Sequence, residues 1–443
     1  MKFIYSLLII LILIIIHNCF VFTNAEYFIN SKNLYNSEIK TLVKIDLSKS
    51  VFDQELPLHN RWHPDIPALV SVNPGTIFKM ECIDWTGGQI KNNNDASDIK
   101  TVDLTRVHYL SGPIHINGVK PGDLLKVEIL NVEPHPQMNW GFTGIFDKLN
   151  GGGFLTNEYP RAGKAIWDFE GIYTKSRNIP GVRFTGIIHP GCIGTAPSQK
   201  LLEEWNSRET KLHNTCKSCN PSLAELPNSV GALVGKAENN PIAEKIKKEG
   251  ARTVPGRENG GNCDIKNLTK GSVAYFPVYV DGANLSAGDI HFSQGDGEIS
   301  FCGAIETSGI LTLRCSIIPN GMKELNINNP IFTSSPLEIN YSKKLIFEGF
   351  SVDTDGKQHY LDANVAYKMA CLNAIKYLRN FGYSDEQTYM ILSCAPVNSK
   401  ISGIVDYPNA LVTLEIPTEI FEIDIYPESK DKHKHNYGQI PLA

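Results

Sequence analysis

Short runs of alternating apolar and polar residues recur along this chain, separated by turn-forming residues. Residues 76–84 alternate with a period of two, the pattern of a half-buried strand. Asn73-Pro74-Gly75 precedes that run, and Pro121-Gly122-Asp123 divides the apolar stretch 115–130. Proline fixes φ and glycine accepts φ > 0, so both sites predict hairpin turns. Residues 271–280 are β-branched and aromatic, stop at Asp281-Gly282, and are followed by a second strand-like run over 298–306. Further strands are expected near 68–72, 102–107, 164–173, 311–318 and 344–352. Helical periodicity is confined to a few places. Ser198 is a candidate N-cap for a helix to residue 208, and a short helix is expected near 241–252. Val365, Met369, Leu372, Ile375 and Leu378 form an apolar stripe within 362–381. Ser384-Asp385-Glu386-Gln387 has the form of a capping box and opens a second helix. The pattern predicts an α+β fold that is mainly β. A β-rich body of hairpins spans 51–345, with a peripheral, Asn-rich insertion at 209–256. A strand and helical part of the same domain spans 346–427, and a charged, solvated tail follows over 428–443.

Composition narrows the function. The 443 residues carry a net charge of −5 and no long basic block, which argues against nucleic acid as a partner. No G-x-G-x-x-G after a strand and no phosphate loop is present, so no organic cofactor is implied. The N-terminus changes the picture more. Lys2 precedes an apolar run over 3–16, and Thr23-Asn24-Ala25 offers small residues for cleavage. This order predicts a signal peptide over 1–25 and a linker over 26–50. The apolar run is short for a membrane span. The expected location is the secretory pathway, secreted or in an organellar lumen; without a signal it would be cytoplasmic. Of ten cysteines, Cys216 and Cys219 form a C-x-x-C, read as a local disulfide or as a pair of idle thiols. Glycosylation sequons occur at Asn267, Asn284 and Asn340.

The candidate chemistry lies at 288–306. Asp289, Asp296, Glu298 and Glu306 fall there with His291, among Gly288, Gly295 and Gly297. A strand–connection–strand context with bending glycines would bring these carboxylates together. Trp140, Phe142, Phe146 and Phe154 are candidate walls of a small pocket or plain core.

The same stretch, GDIHFSQGDGEISFCGAIE (288–306), resembles the acetamidase/formamidase family. So do HNRWHPDIPALV (59–70), ECIDWTGGQI (81–90), WGFTGIF (140–146), HPGCIGTAPS (189–198) and GGNCDIKNLTKGS (260–272). With further segments the likeness covers most of 50–425, in family order. It implies an amidohydrolase that cleaves the linear C–N bond of formamide, or another short aliphatic amide, to the acid and ammonia. It also implies a small amide as partner and a homo-oligomer.

Three designs could supply that hydrolysis. In the first, His291 with Asp84, Asp264, Asp296 and Glu298 holds a divalent metal, zinc or calcium, that activates water. Glu298 or Glu306 would then be the acid and base, with Asp296 and His291 also in the catalytic set. Asn262, Trp85 and Phe142 are the expected pocket residues. Asp84 enters only because the resemblance sets its strand beside the glycine-rich active region. In the second design a cysteine attacks, with Cys192 the candidate; family members commonly carry their cysteine where this chain has Thr195. The third, a serine triad, lacks a G-x-S-x-G elbow. One departure matters: the family usually has histidine before GGN, and this chain has Asn259. It keeps open an alternative, a secreted β-rich binding protein with weak or lost turnover.

Overall fold

In the computed structural model, which describes residues 39–216, 225–337 and 339–443, the alternating runs become strands whose burial follows their pattern. In Ile77–Cys82 the residues Phe78, Met80 and Cys82 point into the core and their neighbours are half-buried. That strand lies in a six-stranded sheet. Its order is Thr41–Val43, Ile77–Cys82, Gly309–Ile318, Leu124–Pro134, Val273–Pro277, Ile331–Thr333. Thr41–Val43, within the stretch read as linker, is thus an edge strand, paired in parallel with Ile77–Cys82. The signal and the rest of the linker, residues 1–38, lie outside the described residues. Among those described, no helix is long and apolar enough to cross a membrane.

A second, larger sheet positions the site. Inside it runs Leu285–His291, flanked by strands on both edges, whose seven residues are all buried; Leu285, Ala287 and Ile290 pack on Phe78, Met80 and Leu311 of the six-stranded sheet. His189–Gly194 pairs along one edge. Phe301–Thr307 and Leu110–Ile116 share the other. Trp140–Ile145 and Gly163–Glu170 extend the sheet beyond Phe301–Thr307. A third sheet of Lys344–Phe350, Leu411–Pro417 and Asn398–Gly403 packs against the helix Ala363–Leu378, and the helix Asp385–Cys394 lies between that helix and the strands Trp140–Ile145 and Phe301–Thr307 of the large sheet. The caps expected from sequence are present. Ser198 accepts a hydrogen bond from Leu201 N, and Ser384 with Gln387 forms the full capping box.

The C-terminal part does not stand apart from the body. Trp167, Phe292 and Ile305 share one apolar cluster with Leu372, Ile375, Met390 and Leu414. Burial of this kind contributes roughly 25 cal/mol per Å² of apolar surface, the dominant favourable term in folding.

Three expectations are corrected. Residues 102–107 hold a 3₁₀ turn, Leu104–Arg106, capped by Asp103, in place of a strand. The helix from Gln199 continues to Thr215, beyond the expected end at 208. The tail is docked, not solvated: Ile440 is buried in the core and Lys164 N donates to Pro441 O at 3.1 Å. Its apolar Ile440 and Leu442 outweigh the charges before them. Cys216 is disulfide-bonded, and Cys219 lies outside the described residues.

Candidate active site

The register of the central strand assembles the site. His291 lies directly opposite His189 on one neighbour and Glu306 on the other. Asp289, two residues earlier on the same strand, presents its carboxylate to the same face. His291 Nε2 is 3.1 Å from Asp289 Oδ1 and 3.1 Å from Glu306 Oε2. Its Nδ1 donates to Gln294 Oε1 at 2.9 Å, which aims Nε2 at the carboxylates. Gly191, on the neighbouring strand, leaves room for this. A Cβ there would lie 2.5 Å from Asp289 Oδ2 and 2.6 Å from the His291 ring, so no other residue fits.

Two further carboxylates arrive from connections. Asp264 follows the strand Gly260–Asn262, and its amide donates to Gly191 O at 3.1 Å. Glu298 sits in the turn before Phe301–Thr307 with φ 44°, a left-handed conformation unusual for glutamate. A cavity of about 770 Å³ opens over the group. Trp85, His108, Phe154, Asn262, Phe301 and Tyr367 are among the residues that line it, with Asp264, Asp289, Glu298 and Glu306.

So many acids in one buried place cannot all ionise. Burial pushes the Asp264 carboxyl up to about 7, and the Asp289 charge adds to it. Burial likewise pushes Glu306 up to about 7, with His291 partly opposing. Glu298 is raised well above its usual range by burial and then by Asp264. Burial works against ionisation of Asp289 too, but His291, His108 and His189 outweigh it and hold its pKa below normal. For His291 the sign reverses: burial favours the neutral ring, while Glu306 and Asp289 raise it well above normal.

A divalent cation fits this arrangement. The ligand atoms of Asp264, Asp289 and His291 lie within 4.8 Å of one another, as do those of His291, Glu298 and Glu306. Asp264 Oδ1 and Glu306 Oε1 are buried without a hydrogen-bond partner, a costly state that a cation would relieve. One imidazole among carboxylates is a donor set suited to zinc, or with more oxygens to calcium.

The residues expected from sequence divide into two groups. Glu298, His291, Glu306 and Asp264 converge, and Asn262 and Trp85 line the same cavity. Asp296, Asp84 and Phe142 are placed elsewhere. Asp296 pairs with Lys266 Nζ at 2.8 Å and accepts from Ser399 N at 2.7 Å. Asp84 caps its own turn, accepting from Thr86 N at 3.0 Å and Gly88 N at 2.9 Å. Phe142 is fully buried beneath the sheet with Ile166 and Phe146. Asp289, not selected from sequence, replaces them; its spacing of two from His291 on a strand was the available signal. His108, also missed, had none. Cys192 is fully buried against Trp62, Leu202 and Trp205 and does not line the cavity, and burial raises its thiol well above normal. Asn259 is buried, donates to Thr195 O at 2.7 Å and does not line the cavity.

Known proteins share this chain's sequence and architecture. A formamidase of Methylophilus methylotrophus is 57% identical over 391 residues, 88% of this chain and 96% of that protein. An acetamidase of Mycolicibacterium smegmatis is 52% identical over 367 residues, 81% of this chain and 90% of that one. The solved structure of a γ-lactamase from Delftia acidovorans matches with a TM-score of 0.88 at 55% identity. It covers 91% of this chain and 99% of its own. Residues 44–423 match the description Acetamidase/Formamidase family, and the chain belongs to that family.

Proposed function

We propose that this protein hydrolyses formamide, and other short amides, to the acid and ammonia. The observation that carries the reading is the convergence of Asp264, Asp289, His291, Glu298 and Glu306 on one cavity, in a chain 57% identical to a formamidase.

The residues divide the work. Asp289, His291 and Asp264 would hold a divalent ion, with Glu306 beside His291 on the side of Glu298. Such an ion supplies Lewis-acid polarisation and a nucleophilic water at neutral pH. Glu298 takes the proton from the attacking water and returns it to the departing nitrogen; a carboxyl raised by burial is suited to both transfers. The water oxygen bonds to the carbonyl carbon, the C–N bond breaks, and the nitrogen leaves as ammonia. Gln294 keeps His291 in the tautomer that faces the acids. Trp85 and Phe154 exclude bulk water from the reacting atoms.

The cavity is far larger than formamide, which favours a wider acyl range. Ammonia release from formamide and acetamide, and ring opening of a γ-lactam, measured with and without chelator, tests both points. No turnover of any of the three would remove the reading. Export guided by residues 1–25 is part of the same proposal. It requires a mature chain starting near Glu26, which N-terminal sequencing of the native protein checks.

A further inference from the structure

We infer that Asn340 is the N-glycosylation acceptor of this protein, and that the sequons at Asn267 and Asn284 stay unmodified in the folded molecule. The inference rests on the export reading above and not on the amidase reading. An N-linked glycan is transferred to the emerging chain, before folding. The fold then decides which modified chains can reach their native packing, because a bulky polar glycan must end on the surface.

The three acceptors have different surroundings. Asn284 has φ 51° and lies at the entry to Leu285–His291, the central strand of the large sheet. Its Oδ1 is buried. Ser286, the hydroxyl residue of that sequon, is fully buried and bonded to His59 Nε2 at 2.8 Å. A glycan on Asn284 would have to displace the strand that carries Asp289 and His291. Asn267 is half-buried between Lys266 and Leu268, both buried. Thr269 of that sequon donates to Ile188 O. A glycan there would pull at the segment that delivers Asp264.

Asn340 has neither constraint. It is exposed, with an exposed Ser342 completing Asn-Tyr-Ser, on the connection between Ile331–Thr333 and Lys344–Phe350. Among the described residues between 302 and 366, only Glu306 lines the catalytic cavity, so a glycan at this position leaves it open. The neighbouring Ile331, Leu337 and Ile339 are exposed apolar side chains on or beside an edge strand. A hydrated glycan would cover such a surface, which otherwise invites association with other chains.

The test uses the full chain, with its own N-terminal segment, made in a eukaryotic secretory cell. Treatment with an amidase that removes N-linked glycans should produce a single mobility shift. Asn340→Gln and Ser342→Ala should each abolish the shift, while Asn267→Gln and Asn284→Gln leave it unchanged. A shift that survives Asn340→Gln overturns the assignment. An unshifted wild-type chain overturns it as well. In that case the same chain behind an established secretory leader separates the cause: a shift there places the failure in residues 1–25, and none places it in the acceptor. Formamide turnover of the Asn340→Gln variant should equal that of the unsubstituted protein, so a failed amidase reading cannot be mistaken for a failed glycan.

Discussion

Lys266 Nζ and Asp296 Oδ1 are 2.8 Å apart, and the pair joins the acidic loop to a segment a hundred residues further along the chain. Lys266 also donates to Val397 O at 2.6 Å and Asn398 Oδ1 at 2.8 Å, and Asp296 Oδ2 accepts from Ser399 N at 2.7 Å. Gly295 N and Asp296 N donate to Ser393 O and Val397 O. Glu298, two residues on, inherits its position from this clasp.

On the proposed reading Asp296 would act through Glu298 and would not itself exchange protons with substrate. Lys266→Met and Asp296→Asn should lower kcat for formamide by about tenfold to a hundredfold, the scale of a small misplacement of a reacting group. The limbs of the pH–rate profile should stay where they are, because Glu298 still titrates. A profile that loses a limb in Asp296→Asn would instead make Asp296 a proton carrier.

Removing the proton carrier itself should cost more. Glu298→Gln is expected to reduce kcat by at least about a hundredfold, with KM little changed and the circular dichroism spectrum intact. The same substitution at Asp84, whose oxygens are spent on Thr86 and Gly88, should alter thermal stability before it alters kcat. Steady-state kinetics beside melting curves separates the two.

The metal reading has a readout independent of turnover. Elemental analysis of the purified protein should find a divalent ion, and Asp289→Asn should reduce its occupancy. Loss of a ligand's supporting partner typically costs about tenfold to a hundredfold in affinity, and loss of the ligand itself should cost at least as much. Full occupancy in that variant would exclude Asp289 as a ligand.

Acid should weaken the fold through His59. Burial pushes its pKa down to about 4, partly opposed by its bond to Arg61 O. The neutral ring donates from Nδ1 to Arg61 O at 2.9 Å and accepts at Nε2 from Ser286 at 2.8 Å. The unfolded chain binds a proton near 6.5 and the folded one only near 4, so stability is fully present above 6.5 and falls as the pH drops toward 4. Melting temperature measured across that window should decline, and His59→Asn should flatten the decline.

Much of this architecture could be read from local pattern. The alternation in 76–84, the cap at Ser198 and the capping box at Ser384 each depend on neighbours within a few residues, and each appears as expected. The acidic stretch at 288–306 was also legible as the centre of the site. Choosing among its acids was not. Beyond the spacing of Asp289 from His291, what separates Asp296 from Asp289 lies far along the chain: Lys266 and Ser399 for the one, His108 for the other. The docked tail escaped for the same reason, since Ile440 meets a core that no local window contains.

Asp289, His291 and Glu306 stand on two neighbouring strands inside the large sheet, and not on loops. Their backbone amides should be among the slowest to exchange with deuterated solvent, opening only with the whole molecule. Heat should then leave the cluster intact until the sheet itself gives way. Inactivation and loss of structure would coincide on one melting curve, with no milder temperature at which the folded protein is present but its acids and imidazole have already parted.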